Sequence, residues 1–456
     1  MARVSTTLAT YQQMVQGKGL QHYDEELPVE KIIGIIHLFD NINDVRMPGM
    51  ILYPLREILV IGFLAVLSGA DTWVEIAQFA KGKKEWLSTL LPLKNGVPSH
   101  DTFQRVFGLI EQSQLQEITV MYLETIMDKI KTELEEIQKA KWENNASEQE
   151  SKNESNEQLR HLSIDGKEER GTGRKHRTAE EISNIQTFHV YDCSNGICIK
   201  SETIERKTNE IPVGQELLAI MDLKGCVITA DAMHTQKRTC ALIKQRKGQY
   251  VLGLKGNQGS LLEEAKLCFT ERAKNTARKT KNSKKPRYLE TTEKAHDQLE
   301  KRRYYMVNAY HEPANKNDVW EGLKSYIMLE KEVENLVTGE RKVEVRYYIA
   351  SLTDILLCAQ MIREHWGIEN GLHWHLDYTF HLDENTTMNK TAYTNLGLMK
   401  KMVLTLLKLF QPLFQGRVSL RVLRKRAGWE TEKLVTMLFA SLSKENIRAA
   451  LTHNSV

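Results

Sequence analysis

The sequence contains few cysteines, no long apolar run and almost no excess of charge of one sign. Its six cysteines in 456 residues include no Cys-x-x-Cys pair, which argues against a disulfide framework or a zinc ribbon. The longest apolar run, residues 58–70, is too short to cross a bilayer. Residues 1–17 lack the apolar segment of a signal peptide. We therefore expect a cytoplasmic protein that does not partner a membrane.

The near balance of charge also excludes a polycation. The net charge is +4, so any nucleic-acid site must come from local clustering of basic residues. Three strips, residues 167–177, 272–287 and 417–426, carry net charges of +3, +8 and +5. Such clusters neutralise DNA phosphates. A solvated surface run is the rival interpretation, above all for residues 272–287, which we expect to be solvated and mobile.

The chain divides by composition into a helical part and a mixed part. Residues 1–140 carry apolar residues at helical spacing, which suits either a DNA-binding module or a structural helical bundle. Residues 141–158 hold only two apolar residues, and we predict a flexible polar linker there. Residues 411–456 are predicted to form a basic helical C-terminal segment.

The central part alternates between strands and helices. Residues 159–258 read as β-β-β-α-β-α-β, an order that resembles the ribonuclease-H-like fold and predicts a partly parallel sheet. Residues 259–345 are predicted to be an inserted, partly β subdomain. The catalytic core would resume over residues 346–410, with long helices over residues 354–374 and 392–409. The predicted fold class is therefore α/β, with a helical N-terminal domain before this core.

Three acidic residues stand out by their context. Asp165 and Asp231 each end an apolar strand, at the sheet edge where α/β proteins place their sites. Glu369 lies on a later helix that could cover this edge. Three converging carboxylates repel one another and need a cation, and oxygen ligands favour Mg²⁺ or Mn²⁺. Two such ions, about 3.5–4 Å apart, suit phosphodiester chemistry. Each acid alone could instead cap a helix or a turn.

The sequence around Glu369 adds further polar groups on one helical stripe. His365, Glu369, His373 and Asp377 are spaced four residues apart and share a helix face. A zinc site built from the histidines of this region is the competing interpretation. The histidine spacing does not match His-Glu-x-x-His and no cysteine is near, which argues against zinc.

Nine sequence blocks, in order, resemble bacterial insertion-sequence transposases with a DDE active site, of the H-repeat-associated class. The resemblance extends from about residue 35 to residue 430. The blocks are DVR at 44–46, YPLREI at 53–58, GADTW at 69–73, PSHDTF at 98–103, IDGK at 164–167, KTNEIP at 207–212, TADAMHTQ at 229–236, LKGNQ at 254–258 and REHWGIENGLHW at 363–374.

The resemblance implies a Mg²⁺-dependent enzyme that cleaves the ends of its element and joins the 3′-hydroxyl to target DNA. Asp165, Asp231 and Glu369 would be both the catalytic residues and the ligands of two Mg²⁺ or Mn²⁺ ions. DNA would be the partner, bound by a homodimer. The residues expected to contact DNA are Lys167, Arg170, Arg174, Lys175, Lys255, Arg363, His365, Asn370 and His373.

The sequence also departs from the family pattern. The Tyr-Arg-Glu-Lys signature of wider insertion-sequence transposases is not intact around Glu369. Leu382 stands where an acidic residue is usual, and residues 386–389 replace an arginine-bearing stretch. Two alternatives therefore stand beside transposition: a catalytically silent DNA-binding protein, or a nuclease that cuts without joining.

Overall fold

A computed structural model describes residues 39–119, 159–173, 183–204, 210–295, 297–310, 319–411 and 418–430. The predicted linker, the sequence before residue 39 and most of the predicted C-terminal segment lie outside these residues. Arg174 and Lys175 lie outside them as well.

The described N-terminal residues include four helices with defined bounds, α1 Leu55–Leu67, α2 Trp73–Gly82, α3 Lys84–Leu90 and α4 His100–Phe107. Residues 112–119 are helical as well. Helix α1 follows Pro54 and is buried along almost its whole length. Helix α2 begins with a capping box, in which the Thr72 hydroxyl and the Glu75 carboxylate satisfy each other's backbone N–H groups. Local sequence thus determines where these helices begin.

One nine-stranded sheet forms the centre of the described structure. Its strands are β1 Arg160–Glu169, β2 Ile185–Asp192, β3 Ile197–Ile204, β4 Cys226–Ala230, β5 Gln249–Leu254, β6 Tyr288–Ala295, β7 Gln298–Asn308, β8 Ser325–Asn335 and β9 Arg341–Ala350. The order across the sheet is β3-β2-β1-β4-β5-β9-β8-β7-β6. Strands β1, β4 and β5 pair in parallel, and the other pairs are antiparallel.

Helices connect and cover the strands. They are α5 Glu210–Ile220, α6 Lys237–Gln245, α7 Gly259–Cys268, α8 Glu271–Lys279, α9 Ile355–Glu364, α10 Trp374–Tyr378, α11 Lys390–Phe410 and α12 Leu420–Trp429. A π-helical turn, Glu369–His373, precedes α10. Single 3₁₀ turns occur at Phe39–Asn41, Pro48–Met50, Arg170–Thr172, Ala232–His234, Gly256–Gln258 and Leu382–Glu384.

The N-terminal helices share a hydrophobic core with α11 and α12. A Cβ on Gly62 of α1 would lie 3.1 Å from the Phe107 ring and 3.4 Å from the Met399 sulfur, so glycine permits close packing of α1 against α4 and α11. These helices therefore pack against the C-terminal helices. Whether they also bind DNA stays a prediction.

The mixed α/β class is confirmed, while several local predictions need correction. Residues 271–279 form helix α8 and are not a wholly solvated strip, because Ala277 is buried and Lys274 pairs with Glu330 at 3.0 Å. The helix predicted for residues 354–374 is divided into α9, the π turn and α10.

The proposed insertion is continuous with the rest of the sheet. Strand β9 pairs with both β5 and β8, so a boundary at residue 345 falls inside a strand. The domain limits stay predictions. Among the described helices, none is both long enough and apolar enough to span a membrane.

Candidate active site

The parallel pairing of β1 and β4 brings Asp165 and Asp231 side by side. Ile164 pairs with Ala230 in the register of these strands, and each aspartate is the next residue along. Strand β4 is wholly buried, and Asp231 follows it at the start of the 3₁₀ turn Ala232–His234. The buried sheet thus fixes the backbone positions of both carboxylates.

Glu369 approaches this pair from the π turn. One carboxylate oxygen of Asp165, one of Glu369 and a ring nitrogen of His373 all lie within 4.8 Å of one another. The side chains of Asp165 and Glu369 are 19% and 51% exposed. Solvent can therefore reach a site whose innermost acid is largely buried.

The three carboxylates differ in their electrostatics. Burial, followed by the charges of Glu369 and Asp231, raises the pKa of Asp165 to about 8. The neighbouring His373 lowers the pKa of Glu369, and His365 lowers the pKa of Asp231. Burial and the charges of the neighbouring acids therefore favour the protonated form of Asp165 at neutral pH.

This donor set fits a hard divalent cation. Carboxylate oxygens are the ligands that Mg²⁺ and Mn²⁺ prefer, and a bound cation would offset the burial and the acidic charges that raise the pKa of Asp165. The predicted ligands Asp165 and Glu369 lie in one group with a ring nitrogen of His373. Asp231 follows the neighbouring strand, beside Asp165.

His365 connects Asp231 to a chain of buried polar groups. Its Nε2 lies 3.7 Å from Asp231 Oδ1, and its Nδ1 lies 2.9 Å from the Thr229 hydroxyl. Thr229 in turn lies 2.8 Å from Nε2 of His161, and Nδ1 of His161 lies 3.1 Å from Glu364. These contacts orient His365 toward the carboxylate. It is a predicted DNA contact whose ring lies between Thr229 and Asp231, and its contact with DNA stays a prediction.

Lys167 also differs from its predicted role at a DNA surface. Its ammonium group contacts Asp377 at 2.9 Å and Asp383 at 3.1 Å, with Glu169 3.6 Å away. The side chain is 7% exposed, because β1 directs it under the segment that follows Glu369. We therefore do not propose Lys167 as a DNA contact.

Other predicted DNA contacts do lie on an accessible surface. Arg363 and Asn370 line a pocket of 250 Å³ together with Trp366 and Arg346, and the Arg346 guanidinium lies 5.3 Å from the centre of the Trp366 ring. Lys255 and Arg170 are exposed. A smaller cleft with Asp231 and His365 shares Arg346 and Trp366 with this pocket.

Arg424 shows that the C-terminal basic strip is not uniformly available. Its guanidinium donates to the carbonyls of Val66, Ala70 and Thr379 and to the carboxylate of Asp71, at 2.7–2.8 Å. It is 3% exposed. This residue connects α12 to the end of α1, so the strip as a whole cannot be a DNA-binding surface.

Two residues near the carboxylates were not predicted. The Glu210 carboxylate packs against Gly166, where a Cβ would overlap it, and its charge contributes to the raised pKa of Asp165. His189 of β2 pairs in register with Asp165 and is completely buried. A histidine inside an apolar strand was the available signal for His189, and the family-like block at residues 207–212 was the available signal for Glu210.

Comparisons with known proteins match two parts of the chain to family models. Residues 156–406 match the family described as "Transposase DDE domain", and residues 36–123 match "DDE_Tnp_1-associated". The chain is 31% identical over 372 residues to "Putative transposase YncI" of Escherichia coli O157:H7. The aligned region covers 80% of this chain and 85% of that protein.

Two further matches are more distant. "H repeat-associated putative transposase YhhI" of Escherichia coli strain K12 is 28% identical over 75% of this chain and 82% of its own. A solved structure, "Cryo-EM structure of piggyBac transposase synaptic complex with hairpin DNA (SNHP)", is 11% identical, covering 93% of this chain and 82% of that one. Its TM-score of 0.38 is too low to establish a shared fold.

Proposed function

Because the chain belongs to the DDE-domain transposases, H-repeat-associated class, we propose that it cleaves phosphodiester bonds at the ends of its element. The freed 3′-hydroxyl is then joined to target DNA. The observation that carries this proposal is the convergence of Asp165, Asp231 and Glu369, with the pKa of Asp165 raised to about 8.

The three carboxylates are the proposed ligands of two Mg²⁺ or Mn²⁺ ions. Asp165 and Asp231 would hold both ions between them, and Glu369 would complete one of the two sites. Divalent cations, when bound, favour deprotonation of an attacking water or 3′-hydroxyl and neutralise charge at phosphorus. The protein's contribution is to hold the acids on a buried sheet and to orient Asp231 through His365.

The strand order supports a ribonuclease-H-like core. Strands β3, β2 and β1 are antiparallel neighbours, and β1, β4 and β5 continue in parallel. Asp165 and Asp231 lie on or directly after the two neighbouring strands at the centre of this arrangement. The proposed active site therefore occupies the position at which open α/β sheets place their ligands.

DNA is the proposed substrate and partner. Arg363 and Asn370 line the pocket beside the carboxylates, where cationic and amide groups can contact a phosphate. Lys255 is exposed after β5, and its charge contributes to the lowered pKa of Asp231. The exposed side chain of Arg170 extends the candidate DNA surface from the other side of Asp165. Action as a homodimer on DNA stays a prediction.

The test is cleavage and joining of a linear duplex that carries the inverted repeats flanking the gene. With Mg²⁺ and a supercoiled target plasmid, the wild-type chain should nick the repeat ends and form strand-transfer products. Asp165→Asn, Asp231→Asn and Glu369→Gln should lose both activities, whereas Asp101→Asn, at a side chain 80% exposed, should keep them. Full activity in any triad variant would contradict the assignment.

The same assay separates the alternatives. Binding of the ends without cleavage in any divalent metal would support a catalytically silent DNA-binding protein. Cleavage without strand-transfer products would support a nuclease. Both alternatives are motivated by the residues after Phe380 that depart from the family pattern, including Leu382.

A further inference from the structure

His373 lies inside the carboxylate cluster. Its Nδ1 is 3.8 Å from Asp165 Oδ2 and 3.6 Å from Glu369 Oε2, and its side chain is 7% exposed. Both distances exceed those of an N–H···O hydrogen bond. Nδ1 of His373 therefore faces both carboxylates without a direct hydrogen bond to either of these oxygen atoms.

The other ring nitrogen of His373 is held from behind by His189. His373 Nε2 lies 3.1 Å from His189 Nδ1, and the two rings have centroids 5.1 Å apart. His189 is completely buried, and its register partner in β1 is Asp165. Strand β2, which pairs with the strand that carries Asp165, thus fixes the orientation of the His373 ring.

The π turn explains why this histidine reaches the site. A π turn widens the helix locally, which is frequent at functional sites. Glu369 and His373 are its first and last residues, and both direct their polar atoms to Asp165. In the same region, His365 contacts Asp231 and Asp377 contacts Lys167.

We propose that His373 is a nitrogen ligand of the ion held by Asp165 and Glu369, and that His189 is its positioning residue. This proposal rests on the proposed function in that it takes the two carboxylates as metal ligands. When the Nε2–H group of His373 donates a hydrogen bond to Nδ1 of His189, Nδ1 of His373 presents its lone pair toward both acids. A hydrogen bond to the second ring nitrogen is the usual support of a metal-binding histidine.

The donor set has a consequence for metal choice. Imidazole suits transition metals, whereas oxygen donors alone suit Mg²⁺. A site with two carboxylates and one imidazole should therefore bind Mn²⁺ more tightly than Mg²⁺. Loss of the imidazole should reduce this preference for Mn²⁺. With its side chain 7% exposed, His373 is no longer proposed as a DNA contact.

The direct test is pulsed electron paramagnetic resonance of the full-length chain loaded with Mn²⁺ alone. Electron spin echo modulation detects a nitrogen bound to Mn²⁺. The wild-type spectrum should show this coupling and should change when the histidines carry ¹⁵N. His373→Gln should lose the coupling. His100→Gln, at a side chain 51% exposed, is the matched control and should retain it.

Mn²⁺ affinity provides a second readout. His373→Gln should weaken Mn²⁺ binding at least about tenfold, and His189→Phe by roughly 10–100-fold, the range for losing the support of a ligand. His189→Gln, which keeps a polar partner for His373, should recover part of this loss.

The outcomes distinguish this inference from the proposed function. Wild-type protein that binds Mn²⁺ through Asp165 without nitrogen coupling would overturn the histidine ligand and leave the carboxylate site intact. Unchanged Mn²⁺ binding in Asp165→Asn would instead contradict the proposed function itself. Because the isotope measurement uses wild-type protein, the test does not depend on a variant folding.

Discussion

Replacement of Asp165 by asparagine should stabilise the metal-free protein at alkaline pH, although the proposed chemistry depends on this carboxylate. Burial and the charges of Glu369 and Asp231 raise the pKa of Asp165 from 3.8 to about 8. The folded chain therefore holds this proton more tightly than the unfolded chain. Stability is unaffected below about pH 4 and falls as the pH rises to about 8.

The magnitude follows from the two pKa values. Each pH unit between them costs about 1.4 kcal/mol of unfolding free energy, so the full loss is on the order of 5 kcal/mol. The Asp165 side chain is only 19% exposed, so solvent screening reduces this figure little. Asparagine has no proton to lose in this range and avoids the cost.

The assay is urea unfolding in chelator at about pH 5 and about pH 9. Wild type should lose several kcal/mol between these conditions, and Asp165→Asn should lose clearly less. Asp101→Asn is the control and should follow the wild type. At the higher pH, Mn²⁺ at a hundredfold excess over Kd, added without chelator, should raise the unfolding free energy of the wild type by about 2.7 kcal/mol. It should not raise the unfolding free energy of Asp165→Asn. Equal pH dependence of the two proteins would refute the reasoning.

Three further predictions concern the basic residues. Lys167→Met should lower stability by about 3–5 kcal/mol, because Glu169, Asp377 and Asp383 then lose the buried ammonium group that they share. Lys342→Met, at a side chain 78% exposed, should change stability by less than about 0.5 kcal/mol, and urea unfolding compares the two. Arg424→Met should also destabilise the fold but leave the salt dependence of DNA binding unchanged. Lys255→Ala should reduce the slope of DNA affinity against salt concentration, both on logarithmic scales, by about 1. Titrations at several salt concentrations that give equal slopes for Lys255→Ala and Arg424→Met would contradict this prediction.

The sequence predicted the individual strands better than their partners. The predicted order β-β-β-α-β-α-β over residues 159–258 agrees with strands β1 to β5 and with helices α5 and α6 between them. The pairing of β9 with β5 could not be predicted, because hydrophobic alternation shows that a strand has a buried face but does not identify its neighbour. The proposed insertion consequently forms part of one sheet.

The same limitation applies to the site. The sequence predicted that Asp165 and Asp231 end neighbouring strands and could therefore converge. Helical spacing placed His365 and His373 on the same helix face as Glu369. Periodicity could not show that Lys167 would meet Asp377 and Asp383, which are 210 and 216 residues away in the chain. Lys167 looked like a DNA contact because its surroundings in sequence are basic, whereas its surroundings in space are acidic.

Metal-specific rescue of cleavage tests the central claim most directly. Wild-type protein should cleave repeat-end DNA with either Mg²⁺ or Mn²⁺. Asp231→Cys should be inactive with Mg²⁺, which a soft thiolate binds poorly, and should recover cleavage with the softer Mn²⁺. Asp231→Ser, which offers no thiolate, should stay inactive with both. Full cleavage by Asp231→Cys with Mg²⁺, or equal recovery of Asp231→Ser with Mn²⁺, would contradict the claim that these carboxylates hold the catalytic metal.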